Sequence, residues 1–140
     1  MAEANPAGAG GEPAPGILVA EDDPALLNLL KMVFQRQGFT VWPAGNGRAA
    51  VELFRRNRER IDVVLLDVLM PELDGPQALA ELRRVEPGVA CCLMSGHTGS
   101  YGGAEIEELG ALRLYDKPFR AQEVAQELWQ IAQQRVRRSA

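Results

Sequence analysis

Short apolar runs alternate with stretches of helical periodicity along most of the chain. Gly16 to Ala20 (GILVA) reads as a strand. After it, Leu26, Leu29, Leu30, Val33 and Phe34 recur at helical spacing and predict a helix with these residues inward. Asp23 suits its N-cap, Pro24 its first position and Gly38 its end. Phe39 to Trp42 reads as a second strand, stopped by Pro43. Asn46 suits the cap of a second helix that turns Ala50, Leu53 and Phe54 inward, and Arg55 to Arg60 reads as the solvated turn closing it. Asp62 to Asp67 reads as a third strand whose apolar run, Val63 to Leu66, is the mark of a strand buried on both faces. Asp74 suits a turn and cap before a third helix, which Pro76 opens and whose inward positions are Ala78, Leu79, Leu82 and Val85.

Pro87-Gly88 closes that helix, and Val89 to Met94 reads as a fourth buried strand. A Gly/Ser-containing segment, His97 to Gly103, leads into a weak helix around Glu105 to Leu109, whose only apolar positions are Ile106 and Leu109. Ala111 to Tyr115 is the fifth strand, and Val124, Leu128, Ile131 and Ala132 mark the inner face of a last helix. Strands separated by helices in this rhythm pair in parallel and carry helices on both faces. The predicted fold class is therefore α/β, a doubly wound five-stranded parallel sheet.

Length and composition add limits. The 140 residues fit one domain, placed at 16–136. Residues 1–15 are almost entirely Ala, Gly, Pro, Glu and Asn and predict a flexible tail; 137–140 read as a short C-terminal tail. A formal charge of −4 argues against a nucleic-acid-binding surface. No apolar run is long enough to span a membrane, and no signal-peptide pattern opens the chain. Cys91 and Cys92 are adjacent in a predicted strand, so their side chains point to opposite faces and predict two buried thiols in a reducing cytoplasm. His97 is the only histidine, which excludes a histidine-based metal site or triad.

The chemistry gathers at strand ends. The first strand runs into Glu21 and Asp22, the third ends in Asp67, the fourth in Ser95, and the fifth leads to Lys117. In a parallel sheet these ends share one edge, where open α/β folds carry their sites. Three carboxylates brought together repel, and a divalent cation with oxygen ligands relieves them. A lysine and a hydroxyl beside them suit phosphoryl oxygens, and an aspartate is a competent nucleophile toward phosphorus.

With these residues in place, the chain resembles a response-regulator receiver domain of two-component signalling. The resemblance rests on ILVAEDDP (Ile17 to Pro24), DVLMPELDG (Asp67 to Gly75), MSG (Met94 to Gly96) and KPF (Lys117 to Phe119). Each motif alone is modest; all four in order, each at a strand end, are specific. The resemblance implies the flavodoxin-like strand order 2-1-3-4-5. It implies that Asp67 accepts a phosphoryl group from a histidine kinase or histidine phosphotransfer protein. It further implies Mg2+ bound by Asp22, Asp67 and the backbone carbonyl of Leu69, with Glu21 acting through water. Ser95 and Lys117 would contact the phosphoryl group, Ser95 switching position, and Pro118 would follow a cis bond. Leu69 and His97 would tune the lifetime of the phosphorylated state. The implied output is a shifted surface of the fourth helix, fifth strand and fifth helix, read by a downstream target protein.

The family's usual aromatic residue three positions before the lysine is Leu114 here, and Tyr115 next to it faces the other way in an alternating strand. Two other readings use the same residues. A haloacid-dehalogenase-like phosphatase needs a second aspartate two residues after the first, where this chain has Leu69. A receiver that is never phosphorylated and serves only as a protein-binding module remains the alternative.

Overall fold

The computed structural model describes residues 13–96 and 102–139. Five parallel strands, β1 (Gly16–Ala20), β2 (Thr40–Ala44), β3 (Val63–Asp67), β4 (Cys91–Ser95) and β5 (Leu114–Asp116), form one sheet in the order β2-β1-β3-β4-β5. The helices are α1 (Pro24–Gln37), α2 (Gly47–Asn57), α3 (Gly75–Val85), α4 (Gly103–Glu108) and α5 (Ala121–Ser139). This is the doubly wound sheet that the sequence pattern predicts, in the flavodoxin-like order that the resemblance implies.

Alternation along the three central strands builds two cores. Leu18, Val64, Leu66, Cys91 and Leu93 face α2, α3 and α4, meeting Val51, Phe54, Leu79, Leu82 and Ile106. Ile17, Val19, Val63, Leu65, Cys92 and Met94 face α1 and α5, meeting Leu30, Phe34, Val124, Leu128 and Ala132. All residues of β1, β3 and β4 are buried, because each of these strands has a neighbour on both sides and helices above and below. Trp129 meets Phe39 edge-on, with ring centroids 5.1 Å apart. Both cysteines are free and buried, one in each core; burial pushes the Cys92 thiol up to about 12 and Cys91 higher still.

Caps follow the sequence closely. The Asp23 side chain accepts from Ala25 N–H, Asn46 from Ala49 N–H, and Asp74 from Gln77 N–H, while the Gln77 side chain accepts from Asp74 N–H. Gly38 ends α1 at φ 122°, a backbone angle that favours glycine.

Several expectations are corrected. Pro43 does not stop the second strand; it lies within β2, opposite Val19. β2 is an edge strand, so a missing N–H on its outer side breaks no ladder. Leu29 is 49% exposed rather than inward, because α1 reaches the sheet along the line of Leu30 and Phe34. Arg58–Arg60 forms a 3-10 turn after α2. The last strand starts later and ends later than its apolar run, at Leu114–Asp116. At the chain ends, Pro15 already accepts from Thr40 N–H, and α5 continues to Ser139, beyond residue 136.

Candidate functional site

The site is built by strand register. Ala20 and Leu66 are level across β1 and β3, so the next residues, Glu21 and Asp67, emerge side by side at the carboxyl edge of the sheet. Ser95 ends β4 and is level with Asp116 of β5. Lys117 follows and donates its backbone N–H to the Ser95 carbonyl at 2.8 Å. Its peptide bond to Pro118 is cis, as the motif implies.

Glu21 is almost wholly buried, at 1% exposure. One carboxylate oxygen accepts from Lys117 Nζ at 2.7 Å and the other from Asp23 N–H at 3.0 Å. Lys117 Nζ also lies 3.3 Å from Asp67 Oδ2. Burial, then the Glu21 charge, pushes the Asp67 carboxyl up to about 6, with Lys117 opposing. Burial alone would lower Lys117, but its hydrogen bond to Glu21 and the charges of Asp67 and Glu21 prevail and raise it.

Asp22 is exposed and completes the acidic set. One carboxylate oxygen from each of Glu21, Asp22 and Asp67 falls within 4.8 Å of the others. Three hard oxygen donors this close, with one lysine between two of them, fit a small divalent cation. The Ser95 hydroxyl is buried at the edge of the same strands and has no hydrogen-bond partner among the described residues, a costly state for a polar atom.

The loop after β3 folds back tightly under Asp67. Val68 N–H donates to Met94 O, and Gly75 N–H returns to Val68 O, both at 2.9 Å. A Cβ on Gly75 would stand 2.5 Å from the Asp67 carbonyl oxygen. Between them Leu73 N–H reaches Pro71 O at 2.7 Å, with Glu72 at φ 70°, a strained three-residue turn. The sequence marks Asp74-Gly75-Pro76 as a helix start; the close approach of Gly75 to Asp67 depends on the fold and has no local signature.

Leu69 lies in this loop with its side chain 38% exposed. His97 falls outside the described residues. Leu114 is 39% exposed, while Tyr115 packs with the α1 and α5 core, so the two do take opposite sides of β5. Tyr115 also donates its hydroxyl to Glu127 Oε1 at 2.8 Å, a contact that sequence reasoning missed.

A doubly wound parallel sheet with carboxylates, a hydroxyl and a lysine at its carboxyl edge defines a small α/β signalling module. The family model described as the response regulator receiver domain matches residues 17–128, and the chain belongs to that family, the receiver module of two-component systems. It is 32% identical over 108 residues to sporulation initiation phosphotransferase F of Bacillus subtilis, a match covering 77% of this chain and 86% of that protein. It is 31% identical over 102 residues to the transcriptional regulatory protein GlrR of Escherichia coli, covering 73% of this chain but only 22% of that longer protein. Among solved structures, the response regulator TrrA of Thermotoga maritima, in complex with Mg(2+)-BeF, is 25% identical with a TM-score of 0.73, covering 84% of this chain and 98% of that one. No helix among the described residues is long and apolar enough to cross a membrane.

Proposed function

We propose that this domain is a phosphorylation-dependent receiver in which Asp67 accepts a phosphoryl group from a phosphohistidine. The donor is a histidine kinase or a histidine phosphotransfer protein. The observation that carries the reading is Lys117 Nζ held within reach of both Glu21 and Asp67, beside a buried Ser95 hydroxyl that lacks a partner among the described residues.

In the transfer, an Asp67 carboxylate oxygen forms the new P–O bond as the P–N bond to the histidine breaks. The departing imidazole nitrogen keeps the bonding pair and takes up a proton. Lys117 pairs with one phosphoryl oxygen and the Ser95 hydroxyl donates to another. Mg2+ held by Asp22, Asp67 and the Leu69 carbonyl, with Glu21 acting through water, would supply charge neutralisation at the phosphoryl oxygens. The Mg(2+)-BeF complex of TrrA supports this assignment.

The added charge of about −1.5 to −2 draws Lys117 and Ser95 inward and biases the surface of α4, β5 and α5, which a target protein reads. The domain acts as a switch that is phosphorylated and dephosphorylated, with no free substrate to turn over. Its two buried thiols suit a reducing cytoplasm. Leu69, apolar and part-exposed beside the acceptor, shields it from attacking water, and His97 is the second tuning position.

The deciding experiment is phosphotransfer from labelled histidine kinases to the wild type and to Asp67→Asn. Label that appears on the first and not the second supports the reading. No transfer from any donor, with no binding of beryllofluoride and Mg2+, would reduce the domain to an unphosphorylated protein-binding module. For Leu69, a phosphorylated lifetime of seconds, unchanged by bulkier side chains, removes the shielding role.

A further inference from the structure

The strand that delivers Lys117 is short, and its backbone hydrogen bonds run to β4 on one side. β5 has three residues and lies at the sheet edge, with β4 as its only strand neighbour among the described residues. Leu114 and Asp116 are exposed, so Tyr115 is the one residue of the strand that is partly buried. Its ring packs with the core under α1 and α5, with its centroid 6.1 Å from that of Phe119. Its hydroxyl donates to Glu127 Oε1 at 2.8 Å, and Arg113 Nε stands 3.7 Å from the same oxygen.

Arg113, Tyr115 and Lys117 alternate with Leu114 and Asp116, which places the three on one side of the extended backbone. Two of them converge on Glu127 of α5, and the third on Glu21 and Asp67. The same short stretch is thus pinned at one end to a helix and at the other to the acidic site. A strand with so little burial of its own depends on such pins for its position.

We propose that Tyr115 and Glu127 are positioning residues that hold β5 so that Lys117 reaches the phosphoryl site. The pair touches neither Asp67 nor its ligands and acts through the strand. Release of the hydroxyl lets β5 move outward, and Lys117 Nζ moves with it away from Glu21 and Asp67. The functional half of this inference rests on the proposed phosphoacceptor role of Asp67; the positional half does not.

The test uses the full chain and three substitutions, Tyr115→Phe, Glu127→Ala and Glu127→Gln. The first two remove the hydrogen bond; the third keeps an acceptor oxygen for the Tyr115 hydroxyl. Two quantities are measured: the Lys117 15Nζ resonance without ligand, and the dissociation constant of beryllofluoride with Mg2+. Loss of the hydrogen bond is expected to shift the Nζ resonance and weaken beryllofluoride binding about threefold to tenfold. Glu127→Gln is expected to restore both toward wild type. Ala132→Gly, which loosens α5 five positions beyond Glu127 and leaves the Tyr115–Glu127 hydrogen bond intact, serves as a stability control and should move neither quantity.

An unchanged Nζ resonance in Tyr115→Phe and Glu127→Ala overturns the proposal. So does an equal effect in Ala132→Gly, or failure of Glu127→Gln to rescue. If the wild type itself does not bind beryllofluoride, the phosphoacceptor reading fails, and the Nζ comparison still decides whether Tyr115 and Glu127 place Lys117.

Discussion

Lys117 Nζ lies 2.7 Å from Glu21 Oε1, although the two residues are 96 positions apart in the chain. The lysine is closer to this buried carboxylate than to Asp67, at 3.3 Å. Lys117 therefore stabilises a charge the fold has taken out of water, and in the proposed transfer it would also meet a phosphoryl oxygen. Lys117→Met is expected to destabilise the protein by about 2 kcal/mol at neutral pH, because among the described residues Glu21 would retain only the Asp23 N–H as a partner. Urea unfolding of the two proteins checks this, and equal stability would show that Glu21 is solvated in ways its burial does not suggest.

Asp67→Asn is expected to act in opposite directions on function and stability. An amide is a poor nucleophile, so phosphotransfer should be lost. The same change removes a charge that burial and Glu21 disfavour, and in metal-free buffer at pH 7 it should stabilise the fold by about 1 to 2 kcal/mol. Labelling and urea unfolding on one preparation measure both; a less stable variant contradicts the electrostatic account.

The pH dependence has a defined sign. The Asp67 carboxyl is raised from 3.8 to about 6 in the folded protein, so within that window the folded form holds a proton that the unfolded chain has lost. Its contribution is fully present below about 3.8 and is lost as pH rises through about 6, a total of about 2 to 3 kcal/mol. Subtracting the stability profile of Asp67→Asn from that of the wild type isolates this group. The difference should fall between those pH values and level off above them. Added Mg2+ should flatten it, since a bound cation favours the ionised carboxylate.

Gly75→Ala tests the tight return of the loop under Asp67, the proposed acceptor. Its Cβ would meet the Asp67 carbonyl oxygen at 2.5 Å and the Val68 Cα at 2.9 Å, both backbone atoms that cannot swing aside. A loss of about 1 to 3 kcal/mol is expected, together with slower phosphotransfer, because the displaced atoms belong to Asp67 itself. Thermal unfolding and a single-turnover transfer assay give the two numbers; a neutral substitution would show that the loop yields without moving Asp67.

What the sequence determined by itself is local. Apolar runs, helical spacing and the caps Asp23, Asn46 and Asp74 depend on near neighbours, so the strand–helix rhythm and the acids at the strand ends were legible without coordinates. The exposed side of α1 was not: Leu29 has the same spacing as Leu30, and only the line of contact with the sheet buries one and leaves the other out. Nor does the sequence tell where Pro43 falls, because a proline is harmful in a central strand and harmless at an edge, and strand order is a tertiary fact. The tertiary structure alone decided that Glu21 is buried against Lys117, that burial and Glu21 push the Asp67 carboxyl up to about 6, and that Tyr115 reaches Glu127. Each of these depends on the register between strands distant in sequence, and register is settled by which cores fill rather than by any residue's immediate neighbours.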